Sequence, residues 1–280
     1  MTRALRYAYN TNGMANHRLE DAFALLADTG YSGVALTLDH HHFDPFGEQF
    51  ESRLERLART LEEKKLGVVI ETGARFLLDP RQKHQPTLLS PDPAGRALRV
   101  AFLKRAIEVC ARCGGEAMSF WAGVPGAALS LQTAHQYLRE GLEEVLAHAE
   151  AHQVVAALEP EPGMLVETVN DYLMLRDAFP TLKLALDTGH VLANEEGKPD
   201  ELLRSMRPHL GTVAIEDMKR GVHEHLYFGH GDMDFTTILR ALIDTRFGGL
   251  VCIELSRDSH RADQLVPSSI KYLEDLERRA

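Results

Sequence analysis

Cysteine, tryptophan and long apolar runs are all scarce in this sequence. Its 280 residues contain three cysteines and one tryptophan, and three cysteines are too few for a disulfide framework. Cys110 and Cys113 form an isolated CARC at a predicted helix end, without the second cysteine pair or nearby histidine pair that would complete a zinc site. We interpret both as ordinary reduced thiols, with a redox pair as the alternative.

Membrane signals are also missing. No run of about 18 apolar residues is present to form a membrane helix, and the N-terminal MTRALRYAYNTNG lacks the apolar core of a signal peptide. We therefore expect no membrane partner and a soluble, cytoplasmic protein.

Acidic residues outnumber basic residues in this chain. The chain has 31 Lys and Arg against 41 Asp and Glu, a formal net charge of −10, whereas a broad nucleic-acid surface needs a basic stripe to replace phosphate counterions. We predict no nucleic-acid partner and a protein that handles small molecules. The sequence leaves the oligomeric state open, a homo-oligomer included.

Short β-rich runs alternate with amphipathic helical patterns along the whole chain, and no linker or change of composition divides it. We therefore predict one domain, residues 1–280. The predicted strands cover residues 5–9, 33–38, 67–71, 116–120, 154–159, 182–187, 212–216 and 250–254. The predicted helices cover residues 18–28, 50–65, 98–112, 132–152, 168–178, 200–207, 235–244 and 263–278.

Eight strand–helix units with continuously apolar strands indicate a parallel sheet covered by helices. The fold class predicted from them is α/β, closed as a (β/α)8 TIM barrel. A doubly wound sheet is the alternative, but no GxGxxG follows the first strand and no phosphate-binding loop motif is present.

Four predicted strands end in a carboxylate. These are Glu159 in AALEPEPG, Asp187 in LALDTGH, Glu216 in VAIEDM and Glu254 in VCIELS. Any one of them could cap a helix or meet solvent. In a barrel, however, the carboxyl ends of all strands share one mouth, and gathering buried carboxylates there is unfavourable unless a divalent cation neutralises them. Together they predict a metal site.

Histidines follow two of these strands. His190 lies three residues after Asp187, and His223 and His225 lie in RGVHEHLYFGHGD. Imidazole suits both metal ligation and the holding of sugar hydroxyls. The i, i+2 spacing of His223 and His225 directs both side chains to one side of an extended segment, so a substrate role and solvent exposure both remain open.

Other candidates follow the third and fourth strands. Glu71 and Arg75 in IETGAR could form a structural ion pair or line a pocket for a polar or anionic substrate. Trp121 in SFWAG could stack on a sugar ring or pack in the core. Lys83 and His84 are expected in the loop that covers the site.

The motifs LEPEPG, LDTGH, IEDM with a downstream GHGDMDF, and CIELS occur in an order that resembles the xylose-isomerase-like TIM-barrel superfamily. That superfamily includes sugar and sugar-phosphate isomerases and epimerases, inosose dehydratases and endonuclease IV, and the resemblance covers nearly the whole chain. It implies an isomerase or epimerase that acts on a sugar, polyol or related hydroxy-carbonyl compound through an enediolate. It also implies a divalent metal ion, manganese in the ketose epimerases, with Mg, Co or Zn as alternatives.

The resemblance assigns roles residue by residue. Glu159, Asp187 and Glu254 match metal ligands of the ketose epimerases, and Glu159 and Glu254 also match their acid and base. The family's remaining ligand, a histidine on strand seven, falls at Ala214. Glu216 lies two residues further on the same strand face, so we predict that it replaces the histidine, with His190 or a water completing the set.

In the substrate pocket, the resemblance implies that His190 holds a hydroxyl. Arg220 matches an arginine six residues after the strand-seven ligand, although it could equally be a surface residue. Two other functions stay open: a metal-dependent dehydratase, other lyase or hydrolase on the same barrel, and a degenerate carbohydrate-binding barrel, for which Ala214 is the motivation.

Overall fold

A computed structural model describes residues 4–279, in which apolar strands alternate with helices. The strands are β1 (Arg6–Asn10), β2 (Gly33–Thr37), β3 (Gly67–Glu71), β4 (Ala117–Phe120), β5 (Ala156–Leu158), β6 (Lys183–Asp187), β7 (Leu210–Ile215), β8 (Asp217–Lys219), β9 (Val222–Leu226) and β10 (Leu250–Ile253). The helices are α1 (Leu19–Thr29), α2 (Phe50–Lys64), α3 (Pro93–Arg112), α4 (Leu131–Ala151), α5 (Val169–Arg176), α6 (Thr188–Ala193), α7 (Pro199–Ser205), α8 (Phe235–Asp244) and α9 (Ala262–Glu277).

The barrel closes in the order β1-β10-β7-β6-β5-β4-β3-β2. Every neighbouring pair in this ring is parallel, and a helix or helical loop returns the chain between successive barrel strands. The predicted α/β (β/α)8 TIM barrel is therefore confirmed.

Two apolar layers hold the barrel together. The larger one lies between the strands and the surrounding helices and contains most of the buried side chains. A small separate cluster of Ala8, Ala35, Val69, Leu250 and Cys252 fills the inside of the barrel. Because these inner side chains are mostly small, room remains at the carboxyl ends of the strands for polar side chains.

Local sequence signals explain several helix boundaries. The Asp92 carboxylate accepts a hydrogen bond from Ala94 N at 3.1 Å and Pro93 occupies the first turn, so α3 begins before the predicted residue 98. Thr168 and Asp171 form a reciprocal capping box at the start of α5.

A hairpin of β8 and β9 departs from the predicted pattern. The two strands pair antiparallel across a two-residue turn, Arg220 and Gly221, with Gly221 at a φ of 70°. Asp217 anchors the segment that follows, because its carboxylate accepts hydrogen bonds from Gly229 N at 2.7 Å and Met233 N at 3.1 Å. The hairpin places a second pair of strands directly above β7.

The cysteines form no disulfide among the described residues. Burial raises the pKa of the Cys110 and Cys113 thiols to about 12, so both remain protonated and unreactive near neutral pH. This agrees with the interpretation as ordinary thiols. Within residues 4–279, no helix is both long and apolar enough to cross a membrane.

Candidate metal and acid–base site

The four predicted acids lie at the carboxyl-terminal face of the barrel. Asp187 is the last residue of β6, and Glu159, Glu216 and Glu254 follow β5, β7 and β10 directly. Their strands are consecutive in the barrel, in the order β10, β7, β6 and β5. The fold therefore brings together residues that are almost one hundred positions apart in sequence.

Glu254 is oriented by two amides. Its carboxylate accepts hydrogen bonds from Asn12 Nδ2 at 2.8 Å and from Asn10 Nδ2 at 3.4 Å. Asn10 is held in turn by Thr37, whose hydroxyl donates to Asn10 Oδ1 at 2.8 Å. Both oxygens of Glu254 are thus engaged, and the side chain is fixed in one orientation at the mouth.

The two carboxylate oxygens of Asp187 have different surroundings. Oδ1 caps α6 by accepting from Gly189 N at 2.7 Å and His190 N at 3.2 Å. Oδ2 is buried without a hydrogen bond and lies 3.6 Å from His190 Nε2. Capping fixes the carboxylate, and the second oxygen remains available to a ligand.

Glu216 is the most unusual carboxylate of the site. It is fully buried, and no N–H or hydroxyl group among the described residues donates to its oxygens. Its neighbour is the Asp187 carboxylate, with which it can share a proton only when one of the two acids is protonated. Glu216 Oε1 lies 3.8 Å from His225 Nδ1. Gly189 leaves the space for it, because a Cβ at that position would overlap the Glu216 carboxylate. A buried carboxylate without a donor is unfavourable, so this arrangement suits a bound cation.

Three histidine rings converge beside these acids. His223 and His225 are two positions apart on β9 and both line the mouth cavity. Their ring centroids lie 4.7 and 5.9 Å from that of His190, respectively. His190 Nδ1 lies 3.1 Å from the Pro160 carbonyl oxygen and 3.7 Å from Glu159 Oε1.

Ala214 leaves a gap where a histidine would enter the barrel. It pairs in register with Asp187 and lines a cavity of about 20 Å³ together with Glu159 and Glu254. That volume holds about one water molecule. Glu216 and His225 approach Asp187 from above this gap rather than from within it.

Three overlapping groups of side chains have ligand atoms within 4.8 Å of one another: Glu159, Asp187 and His190; Asp187, Glu216 and His225; and His190, His223 and His225. Carboxylate and imidazole ligands suit several divalent ions. The unpaired oxygens of Asp187 and Glu216 lie within the second group. The residues present therefore fit a divalent cation, and Glu254 belongs to none of the three groups.

The electrostatics support the same conclusion. Burial raises the pKa of Glu216 well above its usual range, and the charge of Asp187 adds to the effect. Burial and Glu161 raise the pKa of Glu159 in the same way. Burial opposes ionisation of Asp187 as well, but His190, Glu216 and His225 together outweigh it, and the net pKa of Asp187 is lowered. Without a cation, the site can keep only part of its carboxylates ionised.

The histidines respond in two ways. Burial lowers the pKa of His223 and His225 to about 4, so both are neutral and retain a lone pair for a metal or a hydroxyl. Burial opposes protonation of His190 too, but the nearby carboxylates, Asp187 first, and the Pro160 carbonyl together outweigh it and raise the pKa of His190. His190 is therefore the histidine most inclined to carry a proton.

A cavity of about 230 Å³ opens above the acids, and several predicted substrate residues line it. They are Glu71, Trp121, His190, His223 and His225. Trp121 is 6% exposed, with the Arg99 guanidinium 4.2 Å from its ring centroid and the His84 ring 5.6 Å away. Arg220 lies at the exposed turn of the hairpin and is not part of this lining.

Residues outside the predicted set also line the cavity. Glu161 follows Glu159 at two-residue spacing and lies 3.7 Å from His223 Nε2. Asn12 orients Glu254, and Arg257 comes from the loop after β10. The spacing of EPE could have indicated Glu161, and polar residues at the end of the first strand could have indicated Asn12. Nothing local distinguishes Arg257 from a surface arginine.

The family is clear from comparison with known proteins. A sequence model of the xylose isomerase-like TIM barrel family matches residues 23–276, so the chain belongs to this family. Over 231 residues it is 26% identical to L-ribulose-5-phosphate 3-epimerase UlaE of Escherichia coli O1:K1, covering 79% of this chain and 80% of that protein.

Solved structures show the same fold. D-allulose 3-epimerase from Methylomonas sp., in complex with D-allulose, superposes with a TM-score of 0.75 at 19% identity over 98% of each chain. The IOLI protein with a bound zinc atom superposes with a TM-score of 0.72 at 17% identity, covering 97% of this chain and 96% of that one. The curated relative UlaE supports the prediction of a sugar isomerase- or epimerase-like enzyme.

Proposed function

We propose that this protein is a divalent-metal-dependent epimerase or isomerase of a ketose or a related hydroxy-carbonyl compound. The observation that carries the proposal is the buried carboxylate of Glu216 beside Asp187 and His225. Asp187 in turn lines the same small cavity as Glu159 and Glu254. The similarity to sugar epimerases agrees with it.

Asp187, Glu216 and Glu159 would hold the cation, with His225 or His190 completing the set. This arrangement makes Glu216 the replacement for the histidine absent at Ala214. Glu254 remains a predicted ligand, but both its oxygens already accept amide hydrogen bonds, which suits a base better than a ligand. The cation would polarise the carbonyl and hydroxyl oxygens of the substrate and stabilise the negative charge that develops on them.

Glu159 and Glu254 form the acid–base pair. Burial and the charge of Asp187 raise the pKa of Glu254, and the amides of Asn12 and Asn10 oppose that rise. The two amides also orient the carboxylate, so Glu254 would be the base that removes the proton from the carbon next to the carbonyl. Burial and Glu161 hold the pKa of Glu159 well above its usual range, so it can carry the proton that is returned. Return to the same carbon on the opposite face gives an epimer, and return to the neighbouring carbon gives an isomer.

His190 and His223 would position the substrate. His190 is buried, its Nδ1 faces the Pro160 carbonyl oxygen, and its other nitrogen has no hydrogen bond among the described residues. The neutral ring of His223 can donate to or accept from a hydroxyl. The buried ring of His190 would keep bulk water from the carbon that exchanges its proton, whereas the ring of His223 is partly exposed at the entrance.

The test combines metal analysis with isotope exchange. The purified protein is assayed for Mn, Mg, Co and Zn and then incubated with a panel of ketoses and inositol ketones in deuterated water. We expect stoichiometric metal and carbon-bound deuterium next to the carbonyl, with Glu254→Gln lowering the rate at least about a hundredfold. Loss of water without isomer products would indicate a dehydratase, and absence of both metal and exchange would indicate a binding barrel.

A matched variant tests the replacement ligand. Glu216→Gln keeps the shape of the side chain but removes its charge, so we expect it to lose most of the bound metal. If Glu216→Gln still purifies with stoichiometric metal, Glu216 is not a ligand. Glu63→Gln, on the exposed face of α2, serves as the control for a change of Glu to Gln elsewhere.

A further inference from the structure

Three cationic side chains line the cavity together with its acids. Arg75 and Lys83 come from the long segment between β3 and α3, and Arg257 comes from the loop after β10; all three line the cavity. In a chain with a net charge of −10, such a grouping stands out. It lies on the rim, whereas the carboxylates lie on the floor.

Among residues 4–279, none of these cations forms a direct ion pair with a carboxylate of the cavity. Lys83 forms no hydrogen bond or ion pair, and the Arg75 guanidinium donates only to the backbone carbonyls of Asn12 and Ser256. The charge of Glu161 reaches Lys83 and that of Glu71 reaches Arg75 only through space. Arg257 pairs with Glu224 at 3.2 Å, with both side chains largely exposed, so solvent screening makes that pair weak. All three side chains therefore keep donors that an anion could use.

The charges are close enough to influence each other. Burial lowers the pKa of Lys83, and the positive charges of Arg75 and Arg257 lower it further. Burial also lowers the pKa of His84 to about 4, with further contributions from Lys83, Arg99 and Arg75. An anion placed among these groups would relieve the repulsion.

The backbone that carries the rim is held in a strained conformation. Ala74, Arg75 and His84 have φ values of 59°, 48° and 67°, in the left-handed region that is unfavourable for residues with a side chain. His84 N donates to the Arg75 carbonyl at 2.6 Å, and His84 Nδ1 lies 2.6 Å from the Gly73 carbonyl oxygen. These bonds fix the position of Arg75 relative to His84, the residue that directly follows Lys83.

A buried arginine adds positive charge beside the cavity. Arg99 is 1% exposed, and none of its three guanidinium nitrogens has a hydrogen bond among the described residues. Its guanidinium lies 4.2 Å from the ring centroid of Trp121, which lines the cavity. Arg99 therefore supports the Trp121 ring by a cation–π contact and contributes to the field without touching a ligand.

We propose that Arg75, Lys83 and Arg257 form a subsite for a phosphate monoester, so that the substrate is a ketose phosphate. The inference rests on the proposed function. The phosphate would bind at the basic rim while the carbonyl end reaches the carboxylate floor, and the opposite charges of the rim and the floor would set the direction of binding. A dianion with three terminal oxygens can accept from all three cations at once, whereas a neutral sugar would leave them uncompensated.

A binding measurement tests the subsite without any turnover. Trp121 is the only tryptophan of the chain and lies in the cavity wall, so its fluorescence reports occupancy. Inorganic phosphate is titrated at constant ionic strength into the full-length protein and into Lys83→Gln. We expect saturable binding that weakens about tenfold in Lys83→Gln, corresponding to the loss of one charge-assisted contact. Lys271→Gln, which removes an exposed lysine on α9, should stay within about twofold.

Two results of the titration would overturn the subsite: no saturable response to phosphate, or equal phosphate affinity in Lys83→Gln and the unaltered protein. Acetate and a sugar carboxylate form the comparison arm. If they bind as tightly as phosphate, the subsite recognises a carboxylate rather than a phosphate, and the assignment is wrong.

Kinetics separate the failure of this inference from failure of the proposed function. The ratio of kcat/KM for a ketose phosphate to that for the same unphosphorylated ketose should fall about tenfold in Lys83→Gln and stay within about twofold in Lys271→Gln. An unchanged ratio in Lys83→Gln refutes the subsite while the epimerase activity stands. If no ketose exchanges deuterium but phosphate binding still depends on Lys83, the subsite stands and the proposed reaction fails.

Discussion

Glu216→Gln should stabilise the metal-free protein even though it damages the metal site. In the absence of a cation, the Glu216 carboxyl is fully buried next to Asp187 and has no hydrogen-bond donor among the described residues. Burial and the charge of Asp187 raise its pKa well above the usual 4.5. A glutamine has the same shape, carries no charge, and can donate its amide to the unpaired Asp187 Oδ2.

The size of this stability gain follows from the free-energy cost of keeping Glu216 protonated in the folded state. At about pH 7.5 the unfolded side chain is ionised, roughly three pH units above its ordinary pKa. Keeping it protonated in the fold therefore costs up to about 4 kcal/mol, at 1.36 kcal/mol per unit. Because the amide of glutamine also needs partners, we expect a net gain of about 2 kcal/mol. That gain corresponds to a rise of about 4 °C in the melting temperature of a chain this long.

The stability difference between Glu216→Gln and the unaltered protein should depend on pH in a defined direction. A carboxyl whose folded pKa is raised contributes its full stability below the unfolded pKa and loses it as the pH rises. The advantage of Glu216→Gln should therefore be absent near pH 4.5 and grow toward pH 8. Glu63→Gln, on an exposed helix face, should remain within about 0.5 kcal/mol throughout.

The assay is denaturant unfolding in a chelator, repeated with excess manganese. Metal at one hundred times its dissociation constant should stabilise the unaltered protein by about 2.7 kcal/mol and the Glu216→Gln variant by much less. The reasoning is refuted if Glu216→Gln is no more stable than the unaltered protein in chelator at pH 7.5, or if its advantage does not change with pH.

Three further predictions concern other features of the fold. In chelator, Glu71→Gln should gain stability relative to the unaltered protein as the pH rises from about 4.5 to 7, because burial raises the pKa of Glu71 to about 7 and only the folded state keeps that proton in this window. His223→Gln should gain relative stability as the pH falls from about 6.5 to 4, because burial lowers the pKa of His223 to about 4 and only the unfolded state binds the proton there. A stability difference that does not change with pH in urea unfolding, for either variant, would contradict this. Gly189→Ala should lose about 1–3 kcal/mol of unfolding free energy through overpacking. The new Cβ would overlap the Glu216 carboxylate and come within 2.8 Å of the Met218 methyl group. An equally stable variant that still binds metal would show that the site relaxes freely. Burial raises the pKa of all three thiols to about 12. In the folded protein at pH 8 they should therefore react with a disulfide reagent at least about a hundredfold more slowly than after unfolding. Rapid labelling of the folded protein would contradict their burial.

The barrel could be predicted from the sequence because its signals are local. The strand GVALT is buried at every position, and such continuous apolar runs followed by amphipathic helices are typical of a parallel sheet inside a ring of helices. Glu159, Asp187 and Glu254 could be proposed as site residues for the same reason, since each directly ends an apolar run. Once the strands are parallel, their carboxyl ends meet.

The hairpin of β8 and β9 could not be predicted in the same way. Its segment, DMKRGVHEHL, mixes charged and apolar residues without a clear period, so no amphipathic pattern distinguishes it from a loop. Its position depends on Asp217, which binds backbone amides twelve and sixteen residues further along the chain. That contact brings His225 to within 3.8 Å of Glu216.

The sequence by itself determined the kind of protein: a (β/α)8 barrel with an acidic mouth and an alanine where its family places a histidine. The hydrophobic periodicity and the residue at each strand end depend on only a few neighbouring positions, so both can be read from the sequence alone. Only the tertiary structure decided that Glu216 is buried without a partner, that His225 approaches it from the hairpin, and that Arg75, Lys83 and Arg257 share one rim. Burial and charge depend on which distant segments pack together, and the closed barrel alone brings those segments into contact.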